Sequence, residues 1–268
     1  MFNVKRVLIF FVTAIPAVLL FSNCGLEEYP YIESLSQSNI SRSIPNTATI
    51  KIPSSFTGSG LSGFHFIIFY RIYISDESGT PAGYTTDGNS SYYIFNPQLA
   101  SDYNYFKNLI DNNSIDDMDK LFRNRGYKYL CLENDEDIDA LLNSSVLGKS
   151  ISFEFPSSYS PDQYPKMTIN NISHNLFRST DNGGYRALPS RYFLYKKDSW
   201  SSKVEKGDER IDDSTNADVN DKVNIAEGER YHAYTAMYIA ATAIDDTNYS
   251  YIYSTPEFIH VIRLTQND

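Results

Sequence analysis

The sequence predicts a mainly β fold, a sandwich of strands joined by polar connections and interrupted by one short helical stretch. Three observations point there. Apolar residues recur with a period of two in several separated segments, which is the spacing of half-buried strands. Aromatic residues make up 15% of the chain, chiefly Tyr and Phe, and these side chains suit pleated, half-wet faces. The alternating segments are separated by Gly, Asn, Asp, Ser and Pro, a pattern that favours a sandwich over a barrel enzyme.

The first element is not part of that body. Met1 to Arg6 is a short basic start, Val7 to Phe21 is apolar, and Ser22-Asn23-Cys24 follows. A positive start before a brief apolar run is the pattern of a secretory signal peptide, here residues 1–23. Pro16 breaks the run, which is shorter than the roughly 20 apolar residues a spanning helix needs. The string Leu19-Leu-Phe-Ser-Asn-Cys24 resembles the lipobox of bacterial lipoproteins. It departs from the usual pattern at Phe21, where Leu is common, and at Asn23, where Gly or Ala is common. In that relaxed form it is similar to the lipoboxes of spirochaete lipoproteins. The resemblance implies cleavage before Cys24 and a diacylglyceryl thioether, carrying palmitate-type chains, on its sulfur. An ordinary signal peptide with an incidental cysteine, or an uncleaved membrane anchor, is the plainer alternative. No convincing small-residue cleavage site precedes Cys24, and cysteine is scarce, so lipidation is the expectation.

Residues 24–45 are polar and aperiodic and read as a tether, leaving 46–268 as the β-sandwich domain. Thr47 to Ile52 is the first strand. Gly58-Ser-Gly60-Leu-Ser-Gly63 matches a dinucleotide fingerprint in letters only, because a strand follows where a helix N-terminus must hold the pyrophosphate. Phe64 to Ile74 is the strongest strand. Phe64, Phe66, Ile68, Tyr70 and Ile72 lie on one face, and His65, Ile67, Phe69, Arg71 and Tyr73 on the other. Apolar residues on both faces predict a central position. Asp76 to Ser91 reads as loop. Leu99, Tyr103, Phe106 and Ile110 fall on one helical face, opened by Asn96 and Pro97; Met118, Leu121 and Phe122 form a second short helix ended by Gly126. These make a helical insertion at about 96–125. Strands follow at Tyr127 to Leu132, Ile151 to Phe155, Lys166 to Ile169 and Arg191 to Lys197. A polar loop spans about 199–229. Tyr231 to Ile244 and Tyr251 to Leu264 close the chain as two long strands joined through Asp245 to Asn248.

Two runs carry a second resemblance. The stretch from Tyr238-Ile-Ala-Ala-Thr-Ala-Ile-Asp245 through Tyr253-Ser-Thr-Pro256 to Phe258-Ile-His-Val-Ile-Arg-Leu264 is similar to the last two strands of fibronectin type III domains. Phe69-Tyr-Arg-Ile-Tyr73 resembles their third strand. The likeness covers about a third of the body and implies an immunoglobulin/fibronectin III-like β-sandwich. The helical insertion is foreign to that family.

Charge and chemistry narrow the function. The chain carries 23 basic and 33 acidic residues, a net −10. Loss of residues 1–23 removes Lys5 and Arg6 and no acid, giving −12. Such a chain repels phosphates, so nucleic acid is not an expected partner. With Cys24 acylated, Cys131 stands alone in an apolar run and reads as an inert core thiol. No H-E-x-x-H, G-x-S-x-G, S-x-x-K or C-x-x-C motif occurs, and His65, His174, His232 and His260 are far apart in sequence. No cofactor is expected. Asp135, Glu136, Asp137 and Asp139 form an acidic cluster that reads as a solvated turn. Asn216, Asp218, Asn220, Asn224 and Glu227 fall at positions 1, 3, 5, 9 and 12 of a calcium loop. Asn at the first position and Asp221 in place of the turn glycine weigh against it.

The expectation is therefore an envelope lipoprotein, anchored through its lipid, with the outer membrane as its address. Its role is non-enzymatic binding or adhesion to a protein or glycan through loops and strand edges. The rivals are a periplasm-facing structural component of an envelope complex and a carbohydrate-acting hydrolase with paired carboxylates.

Overall fold

The computed structural model describes residues 31–43, 47–55, 60–76, 82–86, 90–94, 97–112, 118–132, 138–155, 164–179, 185–187, 195–196, 219–220 and 230–263. In chain order its elements begin with β1 (Ile40–Ser43), β2 (Thr47–Lys51), β3 (Leu61–Asp76), β4 (Ala82–Thr86) and β5 (Ser90–Ile94). Helices α1 (Pro97–Asp111) and α2 (Met118–Asn124) come next, then β6 (Lys128–Tyr129), β7 (Cys131–Leu132) and the single turn α3 (Ile138–Leu141). β8 (Ser150–Glu154), β9 (Lys166–Ile169), β10 (Ile172–Ser179), β11 (Tyr185–Ala187), β12 (Tyr195–Lys196) and β13 (Val219–Asn220) follow. The chain ends on β14 (Arg230–Asp245), β15 (Tyr251–Tyr253) and β16 (Glu257–Arg263). Strands take 50% of the described residues and helices 23%, so the fold is mainly β.

Two seven-stranded sheets share one core. The first runs β1-β2-β8-β9-β10-β11, with β7 also on β10. The second is built on the antiparallel pair β3–β14, which stays in register from Asp76↔Tyr231 to Leu61↔Asp245 with one irregularity near Ala243. β12, β16 and β15 line the far side of β14, and β6 and β13 the far side of β3. Alternation decides which side chains face which layer. Phe66, Ile68, Tyr70 and Ile72 of β3, with Met237, Ile239 and Ala241 of β14, pack against Ile50, Ile151, Phe153, Met167 and Leu176 of the first sheet. The opposite face of the same pair, Ile67, Phe69, Tyr73, Ala236, Tyr238 and Ala240, is covered by Phe106 of α1 and by Met118 and Phe122 of α2. β3 is thus central, as its two apolar faces predict, and the helices form a third layer over the second sheet.

The second sheet places β16, β14 and β3 side by side, the order of the last, penultimate and third strands in immunoglobulin-type sandwiches. The first sheet follows another path. There the strand beside β2 is β8, and the later strands β9 and β10 lie progressively outward. In the immunoglobulin order the strand beside the second one comes later in the chain than the strand outside it.

Several expectations are corrected. Residues read as tether belong to the body from Tyr31 onward: Ile32, Leu35 and Ile40 are buried in the core, and β1 pairs with β2. Apolar residues spaced by polar ones without strict alternation hid that anchor. The presumed loop over Asp76 to Ser91 holds β4 and the start of β5, which pair antiparallel. Tyr127 to Leu132 is not one strand but a crossing, with β6 on β3 and β7 on β10. The final strand is divided into β15 and β16 at Ser254 to Pro256. β10 escaped the sequence reading altogether. It is joined to β9 by Asn170-Asn171, both at positive φ (54° and 66°), the two-residue turn whose twist matches a hairpin. Asn tolerates that conformation better than alkyl side chains do. Asn171→Ala should therefore cost about 1–2 kcal/mol, read as a lower denaturation midpoint.

The N-terminal segment is fastened to β16 by polar bonds. Arg42 donates from Nε to the Ile259 carbonyl at 2.6 Å and from Nη2 to the Phe258 carbonyl at 2.6 Å. Beside it His260 is buried, and burial, followed by the Arg42 charge, lowers its pKa to about 3. The folded imidazole stays neutral where the unfolded one protonates, near pH 6.5. Its contribution is complete above pH 6.5 and is lost as pH falls toward about 3, by about 1.4 kcal/mol per pH unit. Between pH 7 and 5 we expect a loss of about 2 kcal/mol. Burial raises Glu257, which acts in the opposite sense at the acid end of that window. A denaturation series over this range checks the slope, and His260→Leu should flatten it.

Candidate functional site

The site grows from the way α2 stops. Gly126 at φ 77° ends the helix, and the N–H groups of Arg125, Gly126 and Tyr127 donate to the carbonyls of Phe122, Arg123 and Phe122 at 2.9–3.0 Å. The chain then turns directly into β6. This puts Arg123, on the last turn of the helix, and Lys128, on the strand, at the rim of one cleft of about 390 Å³. Buried Phe69 and Tyr127 line its floor; half-buried Tyr129 and Cys131 line its wall. The Arg123 guanidinium lies 4.9 Å from the centre of the Tyr129 ring, a cation–π contact that holds both. The size suits a small ligand or the tip of a larger one.

Beneath the cleft, a buried carboxylate holds the layers together. Asp102 of α1 is wholly buried. It accepts from Arg71 Nη1 of β3 at 2.7 Å, from Tyr73 Oη at 2.7 Å and from Arg125 Nη1 at 3.2 Å. The Tyr73 and Tyr127 hydroxyls are 3.0 Å apart. The single Tyr73 proton goes to the carboxylate, so Tyr127 donates to Tyr73. Burial, reinforced by the Asp102 charge, pushes the Tyr73 phenol well above its usual pKa; burial does the same to Tyr127. Both therefore stay protonated and act as neutral hydrogen-bond donors. Arg125 also caps the Tyr105 ring at 3.8 Å. Arg123 and Lys128 bring two cations to this cleft on a strongly acidic chain, and a recess concentrates the field of charges at its rim on an approaching anion.

The residues singled out from sequence are scattered. Cys24 lies outside the described residues, as do Asn216, Asp218, Asn224 and Glu227 of the calcium-loop pattern. Asn220 lies in β13, whose backbone runs parallel to Ile72 and Tyr73. His65 engages the Gly63 carbonyl through Nδ1 at 2.8 Å, and its Nε2 lies 3.7 Å from the Asp139 carboxylate. Asp135, Glu136 and Asp137 lie outside the described residues. Among the described residues no three His, Cys, Asp or Glu side chains are grouped to hold a metal. Cys131 reaches the Tyr129 carbonyl at 3.6 Å and sits on the cleft wall rather than in the core interior. Gly60, at positive φ, immediately precedes β3 and Gly63, also at positive φ, lies within it, so a strand and not a helix follows the glycine pattern. The cleft and its Asp102 support were missed from sequence. The chain matches no family model, no curated protein and no solved structure, so the site rests on its geometry.

Proposed function

We propose that this protein is an exported lipoprotein, anchored through Cys24 to the cell envelope, that binds a partner without chemical turnover. Its binding site is the cleft of Phe69, Tyr127 and Tyr129, and its ligand presents an acidic group on a flat or apolar body. The carrying observation is the placement of Arg123 and Lys128 over an aromatic floor on a chain of net charge −10. Cations fix an anionic group by charge, while the rings supply area to a planar body at little entropic cost. An acidic glycan or an acidic protein segment answers that description, in keeping with a binding or adhesion role. The outer membrane is the address that the Cys24 motif favours.

Two measurements test this. An anionic aromatic probe, anilinonaphthalene sulfonate, should fluoresce on binding the native chain. Arg123→Glu together with Lys128→Glu should abolish that signal while leaving the circular dichroism spectrum intact. Unchanged probe binding sinks the cleft as the site. Cys24→Ala should move the protein from the detergent phase to the aqueous phase, because two or three acyl chains, at about 0.8 kcal/mol per buried methylene, are what retain it. Retention of the variant in the detergent phase rejects the lipid anchor. Protease treatment of intact cells, with a periplasmic marker as control, then separates surface display from a periplasm-facing envelope role.

A further inference from the structure

The end of the body from which the N-terminus departs carries an unusual surface. Five large hydrophobic side chains are exposed among the described residues: Tyr31, Tyr105, Ile172, Tyr249 and Tyr251. Two of them, Tyr249 and Tyr251, lie together at one end. They are 82% and 61% exposed, the first in the β14–β15 turn and the second at the start of β15. That turn is pinned to the start of β3, since the Asp246 N–H donates to the Gly60 carbonyl at 3.0 Å. It is held in shape by Asp245, which accepts from the Thr247 N–H and hydroxyl, and by Asn248, which accepts from the Ser250 N–H and hydroxyl. The aromatic tip is therefore a rigid projection and not a loose loop.

Tyr31, 59% exposed, is brought toward the same end by the way its segment runs. Gln37 Nε2 bonds Glu257 Oε2 at 2.5 Å and the Phe258 carbonyl at 3.2 Å, and Ser34 Oγ accepts from the Thr255 N–H at 3.1 Å. Three residues back along one segment match two to three residues back along the other, so the two run in parallel. Continued at that pace, Tyr31 comes level with β15, whose first residue is Tyr251.

Six residues, Gly25 to Pro30, separate Cys24 from Tyr31. The seven Cα–Cα steps from Cys24 to Tyr31 reach at most about 25 Å even when fully extended. An acyl group on Cys24 thus keeps Tyr31 within that distance of the bilayer. We infer that Tyr31, Tyr249 and Tyr251 form a membrane-docking face that seats the body on zwitterionic lipid headgroups. Tyrosine suits that position, with a ring for the acyl boundary and a hydroxyl for the headgroup layer. The acidic balance of the chain, with Glu33 and Asp246 at this end, selects zwitterionic over anionic lipid. The consequence for the cleft is its height. Phe69 lies eight residues along β3 from Leu61, about 26 Å at the rise of a strand, so docking leaves the cleft clear of the surface and open to a partner.

This inference rests on the lipid anchor at Cys24, and its test separates the two. Full-length, lipidated protein carrying Cys131→Ser and Asp246→Cys is labelled with an environment-sensitive fluorophore and reconstituted into phosphatidylcholine vesicles bearing headgroup-level nitroxide lipid. A second sample carries the label at Asn104→Cys on α1, far along β3 from the turn. We expect severalfold stronger quenching at position 246 than at 104. Replacing Tyr249 and Tyr251 by Ser in the labelled protein should bring the two positions together. Flotation with the vesicles but equal quenching overturns docking while the anchor stands. Failure to float rejects the anchor and docking together. Quenching that persists in the serine variant shows proximity enforced by the short linker alone and also overturns the docking face.

Discussion

Asp102→Ala should destabilise the folded protein by about 3–5 kcal/mol, the cost of leaving buried ion-pair partners without their counter-charge. The carboxylate is the shared acceptor for Arg71, Arg125 and Tyr73, which come from β3 and from the turn after α2. Arg71 has little recourse to solvent; its side chain is 12% exposed and its Nε makes no hydrogen bond among the described residues. Arg125, at 32%, can swing outward and recover hydration, so most of the penalty falls on Arg71 and Tyr73. Urea denaturation followed by far-ultraviolet circular dichroism reads the loss directly. Tyr73→Phe, which removes two hydrogen bonds, one to Asp102 and one from Tyr127, but no charge, should cost about 2–3 kcal/mol. A midpoint for Asp102→Ala no lower than that of Tyr73→Phe would show that the carboxylate is not the joint between helix and sheet.

Phe122→Ala should cost a similar amount, about 3–5 kcal/mol, for a different reason. The Phe122 ring is stacked between Phe106 at 4.4 Å and Phe69 at 4.5 Å, and it meets the edges of Tyr127 and Tyr238 at 5.2 Å. Truncation removes the middle of this stack. The flanking rings sit on α1 and on β3, two rigid elements, so the gap collapses only in part and the cavity term adds to lost burial. Because Phe69 and Tyr127 are also the cleft floor, the same change should weaken anilinonaphthalene sulfonate binding beyond the loss explained by unfolding. Phe122→Leu, which fills more of the space, should recover stability ahead of probe binding. A Phe122→Ala protein as stable as the native chain would mean that the helical layer is only loosely applied to the sheet.

Both predictions concern residues whose importance was partly visible in the sequence. Asp102 lies three residues after Leu99 and four before Phe106, which places an acid on the apolar face of its helix. Arg71 likewise interrupts the apolar alternation between Phe69 and Tyr73. A charge on an apolar face of two different elements is the signature of a buried pair, because neither residue is tolerated there alone. What the sequence lacks is the partner assignment. Asp102 and Arg71 are 31 residues apart, and only the docking of α1 on β3 brings them to 2.7 Å. The cleft was less legible still, since Arg123 and Lys128 look like ordinary surface charges until the turn at Gly126 places both on one rim.

Local pattern therefore determined the mainly β class, the centrality of β3, the two amphipathic helices with their stop at Gly126, and the absence of a helix after the glycine-rich turn. Each depends on side-chain period or backbone freedom within a few residues, and such preferences act wherever the segment lies. Tertiary structure alone decided that β3 pairs with β14 across more than 150 residues of chain, that Tyr127 to Leu132 crosses between sheets, and that the residues from Tyr31 are anchored. Those outcomes turn on which exposed edge and which apolar face remain to be covered once other elements have packed. No single segment carries that information, because the free energy comes from surface buried jointly by residues distant in the chain.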